Sequence, residues 1–164
     1  MPRAIPIRVA AEFDELFPAA SRSATECAMN LVMTGDLVVS RVADVLRPFG
    51  LSPAGGLVLS MLADEAGPLR PGEIRDRLLV KGPTVTGLLD SLERAALVRR
   101  VQHPVDRRRV LVELTAAGAD LVDRFRPAVH TAQRPWLDCL SEPDRQRLIE
   151  LLGRIQAHLL SSPD

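Results

Sequence analysis

The chain has 164 residues, 46% of them apolar and 3% aromatic, with 21 basic and 21 acidic side chains. That length and composition fit one soluble domain, or one domain plus a dimerisation element, and two cysteines exclude a disulfide scaffold. No run approaches the ~20 apolar residues that span a bilayer, and residues 1–11 lack the apolar stretch of a signal peptide, so the expected location is the cytoplasm, away from membranes.

Residues 1–20 carry Pro2, Pro6 and Pro18 and read as an extended arm with a short helix at residues 9–16. A long helix is expected over residues 23–46, where Cys27, Leu31, Val38 and Val42 recur at helical steps until Pro48 stops it. Ser52 followed by Pro53 is a cap and a first-turn proline, opening a helix to about Asp64. Two short helices follow, residues 71–79 and 83–96, joined by Val80-Lys81-Gly82; two helices around a tight Gly-containing turn suggest a helix-turn-helix. Residues 97–102 and 108–114 read as strands around the turn at residues 103–107, because Val110, Val112 and Leu114 alternate with Arg109, Leu111 and Glu113. Thr115 caps a helix to about Arg126 that Pro127 and Pro135 kink or interrupt. Ser141 caps the last helix, whose stripe is Leu148, Leu151, Leu152, Ile155 and Leu159.

The expected fold is therefore mostly α with a small β-wing: a winged helix-turn-helix plus a helical dimerisation domain formed by the N- and C-terminal helices. The boundaries are residues 1–50 for the arm and first dimerisation helix, 51–115 for the reading head and 116–164 for the C-terminal dimerisation helices. The terminal stripes need a partner surface, and the simplest is a second copy across a two-fold axis.

Charge distribution supplies the functional clue. Residues 70–109 hold ten basic and five acidic side chains, whereas residues 1–69 hold five against eight and residues 110–164 six against eight. Phosphate responds to the local field rather than the sum, so a basic island between acidic flanks is a footprint for duplex DNA.

These pieces resemble the MarR family of bacterial regulators over residues 23–160. The likeness is carried by VTGLLDSLE at 85–93, LVRR at 97–100 and DRRRVLVELTAAG at 106–118, the last matching the family's wing signature. The resemblance implies a homodimer that binds a pseudo-palindromic operator and usually represses genes. A small-molecule effector or an oxidant would release it by shifting the separation of its two heads.

On the second short helix, Val85, Leu88, Leu89, Leu92 and Ala96 fall on one face and Thr86, Gly87, Asp90 and Arg94 on the other. Lys81, Thr84 and Thr86 are candidate groove contacts near the helix start, with Arg94 further along the exposed face. Many relatives carry a basic residue where this chain has Gly87, so base reading is expected to lean on backbone approach, the wing and DNA shape. Arg107, Arg108 and Arg109 are long cations at a hairpin tip suited to a narrow minor groove. The family pattern implies that Arg108 reaches the groove with Asp106 holding it. It also implies that Asp90 pairs with Arg100 or a wing arginine, bracing wing against helix.

An effector site between dimer helices and head would be lined by Val39, Val42, Val58, Met61 and Leu62; the same residues also fit a simple core. Cys27 and Cys139 open the alternative of a thiol redox sensor, although inert buried thiols are the commoner use of such residues. A second alternative is an interaction protein that keeps the fold with DNA binding weakened or lost. The three histidines form no ligand pair, no nucleophile elbow or phosphate loop is present, and neither metal, cofactor nor enzymatic activity is expected.

Overall fold

The computed structural model describes residues 6–78, 82–106 and 108–161, with residues 82 and 83 described by backbone alone. The arm lies along α2 (Arg22–Leu46) and turns only briefly into α1 (Phe13–Leu16), shorter than the helix expected from residue 9. Asn30 behaves there as a neighbouring strand would: its Oδ1 accepts from Ile7 N–H at 2.9 Å and its Nδ2 donates to Ile7 C=O at 3.0 Å. Glu26, buried on the same face, accepts from Val9 N–H at 3.1 Å and pairs with Arg8 at 2.6 Å. The Arg8 hydrogen bond and the Val9 amide lower the Glu26 pKa.

Ser21 caps α2 and Ser52 caps α3 (Pro53–Asp64), each side chain accepting the N–H three residues on. Between them a 3₁₀ turn at Arg47–Phe49 holds Pro48, and Gly50 takes the left-handed conformation that returns the chain. α4 (Pro71–Leu78) opens on half a capping box, with Glu73 accepting the Arg70 N–H at 2.7 Å. α5 (Gly82–Arg94) begins one residue before the expected Pro83 and stops at Arg94 rather than Ala96. Its end is a Schellman arrangement: Ala96 N–H reaches Glu93 C=O at 2.9 Å and Leu97 N–H reaches Leu92 C=O at 3.0 Å, with Ala96 at φ 56°. Ala96 is thus an exposed left-handed residue, not part of the inward face.

β1 (Val98–Gln102) and β2 (Val110–Leu114) pair antiparallel, from Val98 opposite Leu114 to Gln102 opposite Val110. Leu69, just before α4, exchanges both backbone bonds with Val112, at 2.9 and 2.8 Å, and so fastens the hairpin to the head. α6 (Ala116–Trp136) corrects the expected break at Arg126: the helix runs through both Pro127 and Pro135. Both prolines lie on exposed positions, while buried Leu121, Val122 and Phe125 precede Pro127 and half-buried Ala128, Val129 and Ala132 follow it. Packing on both sides holds the axis against the loss of a single N–H donor at each ring. α7 (Glu142–Ser161) completes the chain.

One core joins Leu46 of α2 to Val58 and Leu59 of α3, Ile74 of α4, Val85 and Leu89 of α5, the strand residues Val98 and Val112, and Phe125 of α6. By contrast α7 buries no residue, and Leu31 and Val38 of α2 and Leu148, Ile155 and Leu159 of α7 remain exposed.

Candidate nucleic-acid interface

The head presents one edge built from α5 and the hairpin after it. α5 is anchored from below: Val85, Leu89 and Leu92 are buried and Leu88 is half-buried, at the three- and four-residue spacing of one helical face. That orientation leaves Thr84, Thr86, Gly87, Asp90 and Arg94 exposed on the opposite face. Gly87 faces open space, with nothing within 4 Å of where a Cβ would stand. Lys81 and Arg107, both expected at this edge, lie outside the described residues.

The hairpin is tied to α5 through Arg100. Its guanidinium pairs with Asp90 at 2.6 Å and with Glu93, while its backbone N–H donates to the Glu93 carboxylate at 3.0 Å. The Asp90 hydrogen bond, reinforced by Glu93 against burial, raises the Arg100 pKa further above its ordinary value. The Asp90–Arg100 geometry was legible as a family pattern. Glu93 was not singled out, although its place three residues on from Asp90 puts both carboxylates on one side of the helix. A second pair, Arg99–Glu113 at 2.5 Å, crosses the two strands.

At the tip, Arg108 and Arg109 are both exposed. Asp106 divides its carboxylate between them differently from the simple picture of a brace on the Arg108 side chain: it accepts the backbone N–H of Arg108 at 3.1 Å and pairs with the guanidinium of Arg109 at 3.0 Å. Among the described residues the Arg108 guanidinium has no carboxylate within 4.0 Å. His103 also joins the turn, its Nδ1 accepting from Val105 N–H and Asp106 N–H, each at 3.2 Å. No sequence signal had marked it.

A cavity of about 650 Å³ lies between α2, α3 and α6. Val39 and Val42 line it as expected, but Val58 and Leu62 are buried in the core and Met61 is not among its lining residues. The reason is which face of α3 turns outward: Pro53, Leu57, Ser60 and Asp64 share the cavity stripe, and Val58 and Leu62 point the other way. At its rim Arg126 pairs with Asp64 at 2.6 Å and donates to Ser60 C=O at 3.3 Å, joining α6 to α3. Cys27 and Cys139, expected as buried thiols, are both free and exposed. Among the described residues no group of three or more His, Cys, Asp or Glu is placed to hold a metal ion, and no single helix is long and apolar enough to cross a membrane.

Known proteins with the same arrangement are regulators. A family model described as MarR family matches residues 49–109, the head and its wing. The HTH-type transcriptional regulator PecS of Dickeya dadantii is 32% identical over 129 residues, which is 77% of this chain and 78% of that protein. Among solved structures, MepR of S. aureus in complex with DNA superposes with a TM-score of 0.73 at 26% identity, covering 80% of this chain and 96% of that one. AbsC, a MarR family regulator from Streptomyces coelicolor, shares the fold with a TM-score of 0.79 at 22% identity, over 87% of this chain and 98% of its own. With a head, a wing and a 129-residue match to a regulator in place, the chain belongs to the MarR family of DNA-binding transcriptional regulators.

Proposed function

We propose that this chain is a homodimeric repressor that grips a pseudo-palindromic duplex with α5 in the major groove and the wing in the flanking minor groove. The observation that carries the reading is the tie of the hairpin to α5 through Arg100, with Thr84, Thr86 and Arg94 exposed on the helix and Arg108 and Arg109 exposed at the hairpin tip. Thr84 and Thr86, with Lys81 ahead of them, contact bases and phosphates at the helix start, and Arg94 meets the backbone. Arg108, with Arg107 and Arg109 beside it, enters the narrow groove, where negative potential is strongest. The brace from Arg100 to Asp90 and Glu93 keeps helix and wing at one spacing, so that both grooves are met together.

The second copy covers the apolar stripes that α2 and α7 leave exposed, and residues 51–115 act as the head that this dimer positions. The protein works in the cytoplasm, on DNA. A small amphipathic molecule in the cavity between α2, α3 and α6 would separate the heads, since that space borders both the scaffold and α3.

Selection of duplexes from a random pool, followed by titration in increasing salt, tests the proposal. Arg108→Ala should weaken binding to all duplexes alike and lower the salt slope by about one per subunit. An unchanged slope would remove the wing from the interface. Recovery of no preferred sequence by the unmodified protein would favour the interaction-protein reading.

A further inference from the structure

The wing tip is shaped by a histidine used as an acceptor. His103 closes the hairpin at both ends of the turn: its backbone N–H donates to Arg109 C=O at 2.9 Å, and its ring Nδ1 accepts from Val105 N–H and Asp106 N–H. An imidazole nitrogen accepts only when it carries no proton, so the two amides require the neutral ring with its proton on Nε2. Adding the second proton puts an N–H where two N–H donors already point. Both bonds are then lost and replaced by a donor–donor clash. Asp106, whose N–H is one of the two donors, is also the residue whose carboxylate receives Arg108 N–H and the Arg109 guanidinium. Release of the ring therefore loosens the turn that sets the direction of both cations.

We propose that His103 is a positioning residue of the wing and makes duplex binding acid-sensitive, its neutral ring holding the tip and its protonated ring releasing it. The proposal rests on the reading of the wing as a DNA contact, but the ring-to-amide coupling stands apart from it.

The surroundings do not override the ring. His103 shares a cleft of about 340 Å³ with Arg70 and Glu73 of the α4 end, Arg109 of the hairpin, and the apolar Pro68 and Leu111. The charged groups facing it come as two closed pairs, Arg70–Glu73 at 2.9 Å and Arg109–Asp106 at 3.0 Å. Glu73, held at a pKa of about 2 by its hydrogen bonds from Arg70, stays ionised throughout the range in which imidazoles change charge. Simple electrostatics has the opposite sign: a cationic ring beside DNA would strengthen binding as pH falls. The two effects are therefore separable by direction.

The test uses the whole 164-residue chain and a fluorescent duplex selected by it at pH 8. On acidification from pH 8 the unmodified protein should lose affinity, by at most the roughly tenfold that two neutral hydrogen bonds supply. His103→Asn places an amide oxygen at the reach of Nδ1 without a titrating proton, and should bind as tightly at pH 8 with a nearly flat profile. His103→Phe keeps the ring and lacks the acceptor, and should bind weakly at both pH values. In parallel, the backbone amide resonances of Val105 and Asp106 should move together with the resonances of the His103 ring as the solution is acidified, and be still in His103→Asn. The idea is overturned if the Asn variant keeps the full acid sensitivity, if affinity rises on acidification, or if the two amides ignore the ring. The resonance result holds whether or not the selected duplex is a true operator, so failure of the coupling and failure of the DNA reading are told apart.

Discussion

Substituting alanine for glycine at two positions of this chain should move its stability in opposite directions. At Gly118 an added Cβ would stand 2.0 Å from Leu97 O, 3.0 Å from the Leu97 carbonyl carbon and 3.0 Å from Leu114 Cδ2. The nearest obstacle is backbone, and it is a working backbone: Leu97 C=O accepts Thr115 N–H at 3.1 Å and the Thr115 hydroxyl at 3.2 Å. Thr115 is in turn the cap of α6, accepting Gly118 N–H at 3.0 Å. Relief of the clash must draw Leu97 away from Thr115 or push α6 off the sheet. Overpacking costs about 1–3 kcal/mol and a damaged cap about 1 kcal/mol more, so Gly118→Ala should lose about 2–4 kcal/mol. For a chain of this size that is a fall in Tm of roughly 5–15 °C. At Gly87, exposed in the middle of α5 with nothing within 4 Å of a Cβ, the same change should gain about 0.5–1 kcal/mol from helix propensity alone. Urea and thermal melts at one fixed protein concentration compare the three proteins, since the Tm of any self-associating chain depends on concentration. Equal shifts of the two variants, or a Gly118→Ala protein as stable as the parent, would refute the argument that close approach of Leu97 is what requires glycine there.

Other outcomes follow from the same geometry. Ala96→Gly should stabilise the chain by about 1 kcal/mol in a urea melt, because Ala96 sits at φ 56° on an exposed surface, where its Cβ carries the left-handed penalty. Arg100→Met should leave a folded protein by circular dichroism but bind selected duplexes about tenfold more weakly, since Asp90 and Glu93 lose the guanidinium that ties α5 to β1. Glu73→Gln should cost less than about 1 kcal/mol near neutral pH, the Glu73–Arg70 pair being largely solvent-screened. Its depressed pKa means that the stabilisation is complete above the ordinary value of 4.5 and disappears as pH falls towards about 2, so parent and variant melts should converge across that window.

What could be read in the sequence was mostly local chemistry. Ser52 before Pro53 announces the start of α3, and Thr115 followed by Gly118 announces α6, because a cap is a matter of three or four adjacent residues. The wing was legible for a similar reason, though only in part: of the alternating Val110, Val112 and Leu114, Val112 is fully buried and Leu114 half-buried, while Val110 is exposed and the strand starts there rather than at residue 108. Tertiary contact decides the features that were missed. Two prolines forbid nothing when Phe125 and Val129 hold α6 on either side of Pro127. α3 carries apolar residues on both faces, so nothing in its pattern tells that Leu57 meets the cavity while Val58 meets the core. Leu69 joins β2 across more than forty residues of chain, and His103 accepts two amides only because the hairpin brings them to its ring. Family likeness reached the Asp90–Arg100 pair, which lies ten residues apart and on two different elements.

A chain with no net charge can still meet DNA if its compensating charges are used up in holding it together. The basic island illustrates this: Arg70 is closed on Glu73, Arg75 on Asp76, Arg77 on Glu65, Arg99 on Glu113, Arg100 on Asp90 and Glu93, and Arg109 on Asp106. Most of the described arginines between residues 70 and 109 are therefore neutralised by a carboxylate, and the two pairs of Arg100 tie the wing to the helix. Among the described residues only Arg94 and Arg108 of that island have no carboxylate partner, and both stand exposed at the edge of α5 and the hairpin. Exposed pairs contribute little stability singly but cancel each other's far field within a Debye length of about 8–10 Å. Among the described residues, what remains visible to a phosphate at that distance is Arg94 on α5 and Arg108 on the hairpin. A protein built this way should draw the salt dependence of its DNA binding from the cations of α5 and the wing rather than from the paired arginines, with selectivity left to the fit of helix and wing in adjacent grooves.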